Sequence, residues 1–343
     1  MDASRYCCES FLPLIGSYSL HSNTIFDTQA ISEAHIRIRP YVHWTPLVHS
    51  ATLSSDLGAA TFLKMESLQK TGSFKPRGAF NRLLTLSASE RGQGVVGVSG
   101  GNHAQGLAYA SKVLGLQATI CMPSSTPANY VQATLGYGAD IVFAENIREA
   151  FLEASRLQEK GLVLVHPFDD PMVAAGQGTI ALEILEDLPA VTRVYVSIGG
   201  GGLIVGMAAA LKAANPAIHI VGVETRGADA MAVSMAANEI VELPAITSIA
   251  RTLGAPKVSP FTFEYTKRLV DELVVVEDDE AIDAMVYILE RTKMLVEPAA
   301  SCCLAAARRH ASALSPTDQV VLLMCGGNVS VSDLAIWSRS RLS

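Results

Sequence analysis

Charge is sparse in this chain. Only 17% of its 343 residues are Asp, Glu, Lys or Arg, and the formal net charge is −7. A basic stripe for nucleic acid or a positive face for an anionic membrane is therefore excluded as the main binding mode. No apolar run reaches the roughly 18 residues that a membrane-spanning helix requires. The six cysteines (Cys7, Cys8, Cys121, Cys302, Cys303, Cys325) fall as two adjacent pairs and two single residues. With no C-x-x-C spacing they build neither a zinc ribbon nor a disulfide framework, and they suit a reducing, cytoplasmic setting. Eight histidines show no H-E-x-x-H pattern, and no metal is expected. Low-complexity linkers and internal repeats are also missing. Residues 1–27 read as a poorly ordered extension. Their apolar patch, 11–15, is too short for a secretory signal, and Arg5 is the only basic residue there, which argues against a mitochondrial presequence.

What is present is apolar bulk. Hydrophobic residues make up 49% of a chain long enough for one large or two modest cores. After residue 90 a rhythm of short apolar strand, glycine turn and helix repeats. Strands are expected over 61–66, 95–98, 118–122, 140–144, 162–165, 194–198, 218–223, 273–276 and 320–324. Helices are expected over 31–41, from Pro76 onward, over 127–135, up to 160, over 176–185, up to 214, and over 279–292 and 298–310. Buried strands alternating with amphipathic helices imply an α/β protein of open, twisted, parallel-type sheets with helices on both faces.

Four segments carry chemistry. The first is Ser73-Phe74-Lys75-Pro76-Arg77-Gly78-Ala79, where a strand and a polar turn lead into a helix with Pro76 in its first turn. A lysine at a helix start opposes the helix dipole. Lys75 is either a solvated loop residue or a Schiff-base lysine whose amine must deprotonate easily. The second is Ser99-Gly100-Gly101-Asn102, which opens a helix with Asn102 near the N-cap. It is either a capped helix after a tight turn or a set of free N–H groups aimed at an anion. The third is Gly199-Gly200-Gly201-Gly202-Leu203, between an apolar strand and an apolar helix. Bare backbone there can curl round a phosphate. Nucleotide signatures fail on spacing: no G-x-x-x-x-G-K-[ST] occurs, and a G-x-G-x-x-G would need glycine at Ile204 or Val205. The fourth is Cys325-Gly326-Gly327-Asn328 after the last strand, on its own a strand-ending turn with a buried cysteine.

These segments together resemble the fold-type II threonine/serine dehydratase family, which depends on pyridoxal phosphate (PLP), has a tryptophan synthase β-like fold and includes serine racemase. The resemblance spans about residues 40–330. It implies that Lys75 carries the cofactor and is the catalytic base, and that Phe74 packs beside the ring. It also implies that Asn102 contacts the ring hydroxyl, that Gly199, Gly200, Gly201, Gly202 and Leu203 hold the phosphate, and that Cys325 faces the pyridine nitrogen. Ser99, Gly101 and Asn102 would hold the substrate carboxylate. A neutral thiol at Cys325 cannot keep the nitrogen protonated as a carboxylate would, which suits elimination. Glu297, in Glu297-Pro298-Ala-Ala-Ser301, is either part of the family segment near the pyridine end or an ordinary acidic helix start. Glu224 matches an acidic metal ligand of serine racemase-like members, but the second ligand would fall at Ala230, with Asp229 beside it. It is read as a strand-end carboxylate.

The family's architecture implies a small domain, about 90–168, inserted into a large cofactor-binding domain of 28–89 plus 169–343. The activity implied is an ammonia-lyase that converts L-threonine or L-serine to a 2-oxo acid and ammonium, with the leaving hydroxyl protonated by the cofactor phosphate. Phenylserine and 3-hydroxyaspartate remain alternative substrates, because the pocket walls come from loops such as 168–171. Racemisation is the alternative reaction, but the serine it would need one residue after Ser99 is Gly100. β-Replacement of the cysteine synthase type fits the Pro-Arg-Gly continuation worse. A non-catalytic PLP carrier is the alternative from another class. A homodimer is expected, as is the absence of a C-terminal regulatory domain.

Overall fold

The computed structural model describes residues 27–339; the expected extension at 1–27 lies outside them except for Asp27, which is ordered as the N-cap of the first helix. In chain order the first elements are α1 (Thr28–Ile38), β1 (Leu47–His49), α2 (Ala51–Leu57), β2 (Ala60–Lys64), α3 (Lys75–Leu84), α4 (Ala88–Gln93), β3 (Val95–Val98) and α5 (Asn102–Leu114). Next come β4 (Ala118–Pro123), α6 (Ala128–Gly136), β5 (Asp140–Ala144), α7 (Ile147–Glu159), β6 (Val163–Leu164), α8 (Pro171–Asp187), β7 (Arg193–Ser197) and α9 (Gly202–Ala214). The last are β8 (His219–Thr225), α10 (Ala230–Ala237), α11 (Pro260–Leu269), β9 (Glu272–Val276), α12 (Asp278–Thr292), α13 (Pro298–Arg309), β10 (Gln319–Leu323) and α14 (Val331–Arg339).

The strands form a six-stranded sheet ordered β1-β2-β10-β7-β8-β9 and a four-stranded sheet ordered β5-β4-β3-β6. Every pairing is parallel except β1 with β2, an antiparallel edge. Val320, Val321, Leu322 and Leu323 of β10 are fully buried, as central strands with both faces covered require. No helix among the described residues is long and apolar enough to cross a membrane.

Helix α8 departs most from the sequence expectation. It starts at Pro171, with Asp170 as N-cap accepting the Met172 N–H at 2.8 Å, five residues before the expected start at 176. Every residue from Val173 to Ile184 is buried, so no polar face marks its period. Two helices approach it at backbone distance. A Cβ on Gly176 would lie 2.5 Å from the Arg77 carbonyl of α3, and one on Gly206 of α9 would lie 2.1 Å from the Ala174 carbonyl. The glycines let α8 pack between the helix that begins at Lys75 and the helix that follows the glycine run.

The short elements β1, α2, α4, α10 and α14 were not expected. One of them, α4, is announced by a capping box: Ser87 Oγ accepts the Glu90 N–H, and the Glu90 carboxylate accepts the Ser87 N–H.

Candidate active site

The C-terminal ends of β2, β3, β7 and β10 deliver the four sequence segments to one place. A single cavity is lined by Phe74, Lys75, Asn102, Gly199, Gly200, Gly201, Gly202, Leu203 and Cys325, joined by Ser197, Thr252, Glu297 and Phe168. Ser99 and Gly101 belong to the turn before α5 but are not among the residues lining it.

Lys75 is the first residue of α3, with Phe74 as an N-cap that makes no side-chain hydrogen bond. It is half-buried, so the solvated-loop alternative does not hold. Its Nζ donates to the Pro167 carbonyl at 2.9 Å and stands 5.1 Å from the centre of the Phe74 ring. Burial pushes its pKa down to about 8, against the opposing pull of the Glu297 carboxylate. An amine so placed is available as a nucleophile and base near neutral pH.

The segment before Lys75 is tied to the turn after β10. Phe74 N–H donates to the Cys325 carbonyl at 3.1 Å, and Gly327 N–H to the Gly72 carbonyl at 2.9 Å. Buried Cys325 accepts from Ser197 Oγ at 3.4 Å, and burial pushes its thiol well above the ordinary range. It is a neutral group.

Asn102 does not cap its helix. Gly101 is the N-cap, with no side-chain cap, and Asn102 is the first helical residue. Its Nδ2 donates to Glu297 Oε1 at 2.8 Å, and its Oδ1 accepts from Asn328 Nδ2 at 2.8 Å. The Gly101 N–H, expected to be free for an anion, is engaged by Ser99 Oγ at 3.0 Å.

Glu297 is 3% exposed, which excludes its reading as an ordinary surface helix start. Its Oε1 also accepts from Thr252 Oγ1 at 3.1 Å, while Oε2 has no protein partner. Burial pushes its carboxyl up to about 7, opposed by Thr252, Asn102 and Lys75.

The glycine run opens α9. Gly201 has φ of +97° and caps the helix without a side chain. A Cβ on Gly200 would lie 2.1 Å from the Phe168 ring, and one on Gly201 2.7 Å from Thr262 Cβ. Bare backbone at a helix N-terminus is an anion site.

Glu224 takes another part. It is buried and accepts the Met231 N–H at 3.0 Å and the Ala232 N–H at 2.7 Å, tying the start of α10 to β8. Asp229 accepts from Arg226 Nη1 and the Gly227 N–H.

Beneath the site lies a buried ionic cluster that the sequence did not disclose. Arg77 binds Glu66 through Nε and Nη2, each at 2.8 Å, and Glu183 through Nη1 at 2.6 Å and Nη2 at 2.9 Å. Lys64 Nζ donates to Glu183 at 2.6 Å. All four side chains are at most 3% exposed. The partners lie up to 119 positions apart, so no local pattern reveals them. Thr252, Phe168 and Asn328 were missed or left vague for the same reason.

The cavity fits pyridoxal phosphate. It supplies a perturbed amine, a bare-backbone anion site, an apolar ring wall at Phe74 and buried polar groups at Asn102, Ser197 and Cys325, with one carboxylate oxygen of Glu297 still unpartnered.

Comparisons with known proteins agree. Residues 38–326 match the model of the pyridoxal-phosphate dependent enzyme family. The L-threonine ammonia-lyase of Geobacter sulfurreducens is 43% identical over 309 residues, covering 89% of this chain and 76% of that protein. Maize serine racemase superposes with a TM-score of 0.86 at 38% identity, over 93% of this chain and 98% of that one. The processed form of threonine deaminase isoform 2 from Solanum lycopersicum superposes at 0.84 and 33% identity, over 91% and 93%. The chain belongs to the pyridoxal-phosphate dependent enzymes, as a member of the fold-type II threonine/serine dehydratase family that its motifs resemble.

Proposed function

We propose that this protein is an ammonia-lyase that converts L-threonine or L-serine to the corresponding 2-oxo acid and ammonium. The observation that carries the reading is the amine of Lys75, held in one cavity with the glycine run, Asn102 and Cys325. When bound, pyridoxal phosphate supplies the electron sink that makes an α-proton removable. The N–H groups at the start of α9 would hold its phosphate, Phe74 would pack against its ring, and Asn102 would donate to its ring oxygen. Lys75 would tether it and, as a free amine, take the α-proton onto Nζ. Cys325, uncharged, would face the ring nitrogen without protonating it. Loss of the β-hydroxyl as water, and return of water at the α-carbon as ammonium departs, balance the conversion.

Elimination is favoured over racemisation because Gly100 brings no hydroxyl to the second face. A Cβ there would also meet Thr126 Oγ1 at 2.6 Å. Ser99 and Gly101 are proposed as substrate-carboxylate contacts. We infer a division into 90–168 and 28–89 plus 169–343; supporting it, the four-stranded sheet takes its strands from 95–164 alone. A cytoplasmic homodimer is also proposed.

Lys75→Ala tests the reading. Turnover of both amino acids and the visible absorbance of lysine-bound cofactor are expected to vanish together. A variant that keeps its activity sinks it.

A further inference from the structure

The turn between β6 and α8 is organised by one nitrogen atom. The backbone N–H groups of Asp169, at 2.8 Å, and Phe168, at 3.4 Å, both point at His166 Nδ1. A backbone N–H can only donate, so Nδ1 is the unprotonated acceptor and the ring proton of the neutral imidazole sits on Nε2. The ring stacks on Phe151, with centroids 5.5 Å apart, and meets Phe168 edge-on at 4.6 Å.

Two parts of the active site hang on that turn. The Pro167 carbonyl accepts from Lys75 Nζ at 2.9 Å. Phe168 lies against the glycine run so closely that a Cβ on Gly200 would be 2.1 Å from its ring and one on Gly202 2.9 Å from its carbonyl. Two of the four glycines are thus explained by Phe168 as well as by a phosphate. The charged and titratable neighbours of the imidazole are Asp169 on the same turn, Lys75 at the head of α3 and His103 on α5. Burial pushes His166 down to about 4, so it remains an acceptor where Lys75 titrates.

We propose that His166 is a positioning residue for the lyase reaction, setting through its Nδ1 acceptor the turn that presents the Pro167 carbonyl to Lys75 and the Phe168 ring to the glycine run. The inference rests on the ammonia-lyase reading. Its consequence is specific. Whenever the Lys75 nitrogen is a free amine, the Pro167 carbonyl orients it and favours its protonated form. Loosening the turn misplaces the base and lowers its pKa.

Two substitutions separate the acceptor from the ring. His166→Phe keeps the flat ring and loses the acceptor; His166→Asn keeps an acceptor oxygen near the place of Nδ1 and loses the ring. In the holoenzyme, His166→Phe is expected to lower kcat at least about tenfold with little change in KM, and to move the acidic limb of the kcat–pH profile to lower pH. His166→Asn is expected to keep kcat within roughly threefold of wild type, with the limb in place. A His166→Phe enzyme with wild-type kcat and pH profile overturns the proposal, as does a His166→Asn enzyme no better than His166→Phe. A measurement on the wild-type holoenzyme needs no variant to fold. Nitrogen-15 NMR of labelled histidine should show Nδ1 of His166 unprotonated at neutral pH, and a protonated Nδ1 overturns the assignment. If the wild type released no 2-oxo acid from any β-hydroxy amino acid, the lyase reading would fall, while the NMR result would still decide the role of His166 in the turn.

Discussion

Replacing Arg77 with methionine removes the centre of the buried ionic cluster. The guanidinium makes four bonds of 2.6–2.9 Å to Glu66 and Glu183. Methionine leaves those two carboxylates facing one ammonium, Lys64, with every one of the groups at most 3% exposed. Breaking a buried ion pair from one side costs about 3–5 kcal/mol, because the remaining charge stays desolvated. For a chain of this size that corresponds to a fall in melting temperature of roughly 4–7 °C. The assay is thermal and urea unfolding of the cofactor-free protein, which keeps cofactor affinity out of the comparison. The mechanism makes a second demand. In Arg77→Met/Glu66→Leu the buried charges that remain are Lys64 and Glu183, a pair 2.6 Å apart with partly exposed Asp187 3.9 Å from the ammonium, so the double variant should be more stable than Arg77→Met alone. A loss below about 1 kcal/mol for the single variant, or a double variant that is weaker still, would refute the reasoning.

Other outcomes follow from the same geometry. Gly200→Ala places a methyl 2.1 Å from the Phe168 ring; it should cost about 1–3 kcal/mol and weaken cofactor binding, and adding Phe168→Ala should recover part of the loss in a double-mutant cycle. Glu297 has its folded pKa raised to about 7 by burial. The folded state therefore binds the proton more tightly than the unfolded one, and the carboxyl erodes stability as pH rises from the ordinary glutamate range through 7. Glu297→Gln should match wild type at pH 5 and exceed it by on the order of 1–3 kcal/mol at pH 8 in cofactor-free unfolding, and equal differences at the two pH values would contradict this. Gly100→Ser needs room at Thr126; with Thr126→Ala it should yield detectable D-serine from L-serine and slower oxo-acid release, measured by chiral chromatography. Wild-type enzyme that racemises serine as fast as it eliminates water would remove Gly100 from the explanation.

The site was legible wherever its chemistry is written into a short stretch. Lys75 beside Pro76, the bare Gly199–Gly202 run and Asn102 after two glycines each pair an unusual residue with a strand-to-helix junction, and the structure draws them together with Cys325. Strand β3 falls at the expected residues, because a buried parallel strand announces itself as an apolar run between glycine-containing turns; β5 does too, although it is a partly exposed edge strand. Legibility failed where partners are distant in sequence or where polarity has no period. Glu66 and Glu183 reach Arg77 from 11 and 106 positions away. Helix α8 is buried all round from Val173 to Ile184, polar Gln177 and Glu183 included, so no exposed polar face marks its start in the sequence, although Asp170-Pro171 is a readable cap and start. The capping role given to Asn102 failed for a related reason: its side chain serves Glu297 and Asn328 instead of its own helix.

The central claim is met most directly by a substrate assay. Purified holoenzyme incubated with L-threonine and, separately, L-serine should release 2-oxo acid and ammonium in equal amounts, with recovered substrate still in the L form and with no release by Lys75→Ala. Intact amino acid after prolonged incubation, or recovered substrate converted to the D form without oxo acid, would contradict the account.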